Sequence, residues 1–247
     1  MYIGVVGIDG SGKSTLSFKL FKALSYTVKT GYVGDKILLA RKGKTRTFND
    51  AWLVTSKLTI SRFAKNTKNP ALYGISKLLD FVLRQKMMRL LREQRGAKIV
   101  IEDGASLINL LGWGRFYHKG LFSRDTILNV AQYLCAGELC RKDKVNIIKQ
   151  IPELFLLRRL ITFTIPQTVF FLKISPKVAM QRIRLRRKPL QKHENKEFLR
   201  RLQSAYEEVI SVLRKEFDMR VFPINVTDID EEGVLRIMED RLKCLKK

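Results

Sequence analysis

Nine residues near the start of the chain, Gly7-Ile8-Asp9-Gly10-Ser11-Gly12-Lys13-Ser14-Thr15, fit the pattern G-x-x-x-x-G-K-[ST] without a mismatch. That spacing suits phosphate binding. Glycines let the backbone bend tightly enough to aim several N–H groups at one phosphate, with no Cβ in the way. Lys13 would reach the β and γ phosphates, and the Ser14 hydroxyl would meet Mg²⁺. Such a loop works only between a strand and a helix. Tyr2 to Ile8 reads as a short buried strand, and Leu16, Leu20 and Leu24 recur every four residues as one face of a helix. The phosphates then lie on a helix N-terminus, where the dipole favours anions.

Two further stretches carry groups that phosphate chemistry needs. Lys98-Ile99-Val100-Ile101-Glu102-Asp103-Gly104 is an apolar run ending in two acids, and it reads as a central strand. In an open parallel sheet the ligand sits at the C-terminal edge, so Asp103 or Glu102 would meet Mg²⁺ or an acceptor hydroxyl; the plain alternative is an acid that caps the next loop. After Ser175-Pro176, which reads as an N-cap and a first-turn proline, a helix carries Arg182, Arg184, Arg186 and Arg187. Arg182 and Arg186 are four apart and share a face. A basic run of this kind is also the ordinary solvated side of a helix. His118 and His193 are lone histidines and read as surface or structural residues.

The elements that must hold these groups alternate between strand and helix. A second strand is expected over Tyr26 to Val33, and residues 35–48 read as loop. A helix is suggested around Trp52 to Phe63, and a longer one opens at Asn69-Pro70 and runs to Gly96. Helices are expected over Ile127 to Leu139 and Val145 to Leu160, with a turn at Gly112-Trp113-Gly114. Thr168 to Ile174 is a strand, a basic helix runs from about Lys196, Arg220 to Asn225 is a last strand, and Asp230 to Lys243 closes the chain. This alternation predicts a parallel α/β sheet covered on both faces.

Composition sets the bounds. With 247 residues and 45% hydrophobic content, one domain over 1–247 is expected. No run of eighteen apolar residues and no leader is visible, so a soluble cytoplasmic protein without a transmembrane segment is the default. Cys135, Cys140 and Cys244 lack paired spacing and argue against disulfides or structural zinc. The net charge of +25 would draw nucleotides, nucleic acid or an anionic surface, without choosing among them.

Three separated places resemble the thymidylate kinases, members of the nucleoside monophosphate kinase group of P-loop proteins. They are the loop Gly7 to Thr15, the segment Leu78-Leu79-Asp80-Phe81 on the long helix, and Ser175 to Arg184 with its sequel to Tyr206. The resemblance implies a P-loop NTPase fold with a five-stranded parallel sheet, the loop-bearing strand central. It also implies an Arg-rich lid near 182–196. The segment from about Arg141 to Pro166 looks like a helical insertion, a candidate lid, dimer face or docking surface; a homodimer is therefore among the expected assemblies.

By the same resemblance ATP is held by Asp9, Gly10, Ser11, Gly12, Lys13, Ser14, Thr15 and Arg182, and Mg²⁺ by Ser14 and Asp103. Lys13, Asp103, Arg182 and Arg186 would serve catalysis. Asp9, Phe81, Gln85 and the adjacent Arg84 would meet the acceptor, although Phe81 reads equally as core. Three positions depart from the family pattern: Val6 stands where a glutamate is usual, Gly104 where an arginine holds the acceptor phosphate, and Gln85 where an arginine reads the base. The leading expectation is ATP- and Mg²⁺-dependent phosphoryl transfer to a nucleoside monophosphate. The alternatives are a kinase acting on an unphosphorylated hydroxyl of a nucleoside, sugar or RNA end, with Glu102 or Asp103 as base, and a nucleotide-gated basic binding protein.

Overall fold

In the computed structural model the described residues are 1–47, 55–56, 59–60, 63, 67, 69–137, 152–186 and 195–245. Their centre is β1 (Tyr2–Gly7), all six residues buried, as a strand covered on both faces requires. It pairs in parallel with β5 (Ile99–Asp103) on one side and β6 (Thr168–Lys173) on the other. Beyond these lie β2 (Thr30–Val33), parallel to β5, and β7 (Arg220–Asn225), parallel to β6. Five strands are therefore parallel, as the alternation predicts.

The whole sheet, however, has seven strands. Most of the stretch expected as loop over 35–48 is strand: β3 (Ile37–Arg41) and β4 (Lys44–Thr47) form an antiparallel hairpin on the β2 edge, giving the order β4-β3-β2-β5-β1-β6-β7. The hairpin turns at Lys42 and Gly43, both at positive φ, the backbone of a tight two-residue connection. All four β4 residues are exposed, so this edge strand has no apolar alternation for a sequence reading to detect.

Helices cover both faces: α1 (Lys13–Ser25), α2 (Pro70–Arg89), α3 (Ser106–Tyr117), α4 (Arg124–Ala136), α5 (Pro152–Leu160), α6 (Pro176–Leu185), α7 (Lys196–Glu216) and α8 (Glu231–Cys244). A π-helical turn, Leu90–Gln94, ends α2. One core cluster packs Tyr2 and Val100 against Met87, Met88 and Leu91; the larger one fills the space beneath α1, α3, α4 and α7. α7 shows why its sequence is helical. Asn195 caps it by accepting from the Phe198 N–H at 2.9 Å, and Leu199, Leu202, Tyr206, Val209 and Leu213 recur as one buried face.

Gly112-Trp113-Gly114 is not a turn but lies inside α3. The glycines permit close packing rather than a bend: a Cβ on Gly112 would stand 2.4 Å from the Tyr206 ring. The second strand begins at Thr30 rather than Tyr26, which instead ends α1. The helix expected from Trp52 to Phe63 and the segment 138–151 lie largely or wholly outside the described residues, as does the stretch 187–194 of the expected lid.

Candidate active site

The link between β1 and α1 is the glycine loop, and its backbone is built to lie close to other main chain. Gly10 has φ +85, and a Cβ there would stand 2.6 Å from the Ala179 carbonyl oxygen of α6. Gly12 caps α1 in the left-handed conformation, φ 83, and its carbonyl accepts from Leu16 N at 2.9 Å. The first-turn amides of α1 thus point at one end of a cleft of about 590 Å³. Lys13 Nζ lies 2.8 Å from Asp9 Oδ1, a pair with side chains 24% and 38% exposed. Ser11 is buried and its Oγ has no partner among the described residues, while Ser14 and Thr15 are exposed beside the loop.

The far side of the cleft is lined by Arg182 and Leu185 of α6, by Arg186 just after it, by Val226, Ile229 and Asp230 between β7 and α8, and by Glu231 at the start of α8. Arg182 donates to the Val226 carbonyl at 2.9 Å, which ties α6 to the β7 exit. Arg184, on the other side of α6, is exposed and outside the cleft lining.

A second group of side chains gathers at the end of β5. Register places Asp103 beside Val5, two residues before the loop begins. Asp103 Oδ1 is buried without a partner among the described residues, and the Asp103 carbonyl accepts from Arg84 Nη1 at 2.8 Å. Arg84 also donates through Nε to Asp80 Oδ2 at 2.9 Å. Burial works against the Arg84 charge, but Asp80, Glu102 and Asp103 together hold its pKa above the ordinary arginine range. Burial, aided by Asp103 and Asp35, pushes the Tyr32 hydroxyl up to about 12. At the other end of α2, burial raises Tyr73 to about 12, with Tyr117 and Asp9 adding to the effect.

The residues suit Mg²⁺. The Ser14 hydroxyl and the unpartnered Asp103 oxygen are hard oxygen donors, and no cluster of three or more acidic, His or Cys side chains exists among the described residues. A cation held by one or two protein oxygens, with phosphate and water completing its shell, is the magnesium pattern.

No protein-family model matches the chain, and no curated protein matches its sequence. Solved structures do match in fold. A deoxyadenosine kinase from M. mycoides, with dCMP and dCDP bound, superposes with TM-score 0.57 at 17% identity, covering 99% of this chain and 100% of that one. The same enzyme with dCTP gives 0.52 at 18%, covering 99% and 100%. A thymidylate kinase from Candida albicans gives 0.55 at 14%, covering 99% and 92%. The fold is that of the nucleoside and nucleotide kinases.

Within this kinase fold, the expected phosphate-side residues come together: Asp9 through Thr15 with Arg182 and Arg186 line one cleft. The acceptor-side expectations divide. Arg84 reaches the β5 edge, but Gln85 is 0% exposed and its Oε1 accepts from Thr164 N at 3.0 Å, so it faces the core. Phe81 is half-buried and packs against the main core. Glu102 is also structural: fully buried, it accepts from the Tyr2 hydroxyl, from the Ser106 hydroxyl and from Ser106 N at 3.1 Å. Of the two acids considered as a base, only Asp103 has a buried oxygen without a partner among the described residues. Sequence reasoning missed the residues after β7 that wall the cleft, Val226, Ile229, Asp230 and Glu231, because no motif marks them.

Proposed function

We propose that the protein transfers the γ-phosphoryl group of ATP, with Mg²⁺, to a nucleoside monophosphate. The observation that carries this reading is the convergence of the glycine loop, Lys13, Arg182 and Arg186 on one cleft; Asp103, with a buried and unpartnered carboxylate oxygen, stands outside that lining at the end of the strand paired with β1. Phosphoryl transfer demands positioning and charge neutralisation more than covalent chemistry. Lys13 exchanges Asp9 for phosphate oxygens, and the loop amides orient the same group. Arg182, held by the Val226 carbonyl, flanks the nucleotide, and Arg186 at the α6 end adds positive charge. Magnesium, held by Ser14 and Asp103, would neutralise charge between the β and γ phosphates. The matched thymidylate kinase is named for a monophosphate acceptor, which supports this class, whereas the matched deoxyadenosine kinase holds dCMP as a product and lends support to a nucleoside acceptor instead.

One observation favours a second reading, an unphosphorylated acceptor hydroxyl. Gly104 has φ +104, and a Cβ there would stand 2.6 Å from the Asn109 amide nitrogen, so no side chain reaches from this position to an acceptor phosphate. The nearest guanidinium, Arg84, is already engaged with Asp80 and Asp103. Asp103 then receives the hydroxyl proton. The test is ADP release from ATP and Mg²⁺ across a panel of nucleosides and their 5′-monophosphates. Turnover with monophosphates only supports the first reading and with nucleosides only the second; no ADP above the acceptor-free rate sinks both.

A further inference from the structure

We infer that the sheet edge opposite the cleft binds single-stranded nucleic acid, with Tyr26 as the platform for a base and Lys29, Arg41, Lys42, Lys44 and Lys98 as the track for its phosphates. The cleft lies at the C-terminal ends of the parallel strands, and the six residues of β1 set the opposite edge about 20 Å from the glycine loop. Thr30 at the start of β2 pairs with Ala40 of β3 and with Ile99 of β5. Lys29, Arg41 and Lys98 each stand one residue beyond those pairs and so form a row across three adjacent strands. The Lys98 N–H donates to the Lys29 carbonyl at 2.9 Å. Lys42 at the β3–β4 turn and Lys44 after it extend the row into solvent.

This row is not neutralised from within. From Lys22 to Arg46 the chain has seven cations and a single acid, Asp35, which stands at the cleft end of β2. None of the five cations of the row makes an ion pair among the described residues, whereas Lys19, Arg115, Lys173 and Lys243 each do. Arg41 and Lys44 even stand directly opposite each other across the hairpin, where like charges are destabilising. One lysine is enough to keep an exposed edge strand from pairing with another chain. Five unneutralised cations call for a polyanion.

Tyr26 makes that polyanion a single strand. The residue is 71% exposed, yet its ring rests against the hairpin tip: a Cβ on Gly43 would stand 2.5 Å from it, and the Gly43 N–H donates to the Ser25 carbonyl at 3.2 Å. The ring is thus held beside Lys42 and Lys44 while most of it faces solvent. An aromatic ring among cations stacks an unpaired base of any sequence, which a duplex keeps inside its own stack. A membrane surface fits this edge less well. Tyr26 is the only large hydrophobic side chain left exposed in residues 1–47, and a face that enters the headgroup region carries several.

The test is fluorescence anisotropy of a labelled single-stranded DNA of about twenty nucleotides, longer than one such site needs, titrated with the full chain. The expected result is saturable binding that weakens with salt along a log–log slope of about −3.5, as five contacted phosphates require. Lys42→Glu with Lys44→Glu should weaken it at least about tenfold and flatten the slope by about 1.4. Lys119→Glu with Lys177→Glu, the same change of net charge on exposed lysines after α3 and at the start of α6, should weaken it less than about threefold. Tyr26→Ala should cost about fivefold or more with the slope unchanged. Absence of DNA binding overturns the inference, whether or not phosphatidylserine vesicles retain the protein. Equal losses from the two charge reversals overturn it, as does an unchanged affinity in folded Tyr26→Ala. Displacement of the DNA by ATP with Mg²⁺ would put the strand in the cleft and overturn it too. Should Tyr26→Ala fail to fold, the two charge-reversed proteins decide. None of these outcomes bears on the kinase reading, which ADP release tests separately.

Discussion

Replacing Glu102 separates its structural role from a chemical one. Glu102→Ala removes the acceptor for the Tyr2 hydroxyl and for Ser106 at the start of α3, all of them buried. Three buried donors left unpaired cost about 1.5 kcal/mol each, and the vacated volume adds about 1 kcal/mol, for a total of about 5.5 kcal/mol. In a chain of this size that lowers Tm by about 11–22 °C. Glu102→Gln should behave differently. Its amide oxygen can take both bonds now made to Oε2, and its amine, in the place of Oε1, can donate to the Ser106 hydroxyl.

The glutamine variant also carries a pH signature. Burial holds the Glu102 carboxyl above the ordinary glutamate range, opposed by Arg84 and by the bonds from Ser106 and Tyr2. A carboxyl with a higher pKa folded than unfolded binds more protons in the folded state. Its stabilising contribution is therefore full below the unfolded value and declines as pH rises through the folded one. Glutamine does not titrate. The stability of Glu102→Gln relative to the natural protein should rise as pH climbs from about 4.3, the unfolded glutamate value. Urea melts at intervals from about pH 4 to pH 8 measure the gap. A gap that shrinks with rising pH, or a glutamine variant as unstable as alanine, would refute the reasoning. The glutamine variant should also keep its phosphoryl transfer, which a base at this position would not allow.

The other expectations follow from single contacts. Asp103→Asn should lower the melting temperature only modestly, because it removes one of the three carboxylates that hold the buried Arg84 charge, while the Mg²⁺ concentration for half-maximal activity rises about tenfold or more. Gly112→Ala should cost about 1–3 kcal/mol by driving a methyl into the Tyr206 ring, readable as a lower urea midpoint. Burial pushes the Cys135 thiol up to about 12, whereas Cys244 is exposed. Alkylation of the native protein near pH 8, mapped by peptide mass, should mark Cys244 and spare Cys135.

The parts of the molecule that were legible in the sequence are those where local pattern and tertiary role agree. β1, the glycine loop and α1 form a strand, a phosphate turn and an amphipathic helix, and each signal is written within about twenty-five residues. The hairpin β3–β4 was hidden because β4 is wholly exposed and basic; the only clue was the apolar run Ile37 to Ala40 ahead of Lys42-Gly43. Gly112-Trp113-Gly114 misled for the opposite reason. Two glycines signal a turn locally, yet close contact with Tyr206 and Phe122 makes them useful inside a helix. At the site, the phosphate side was readable because its backbone geometry demands a fixed motif. The acceptor-side expectations depended on the rotational phase of α2, which turns Gln85 and Phe81 to the core and Arg84 to the end of β5.

The central claim is that the glycine loop and Lys13 grip a triphosphate. The direct measurement is equilibrium titration of the whole chain with ATP and Mg²⁺, alongside Lys13→Ala. The Lys13–Asp9 pair is partly exposed, so its loss should cost no more than about 1 kcal/mol of stability and leave the variant folded. Saturable binding to the natural protein, weakened at least about tenfold in the folded variant, is the predicted result, since a charged hydrogen bond to phosphate contributes about 1.5–3 kcal/mol. No saturable binding, or equal binding by both proteins, would contradict it.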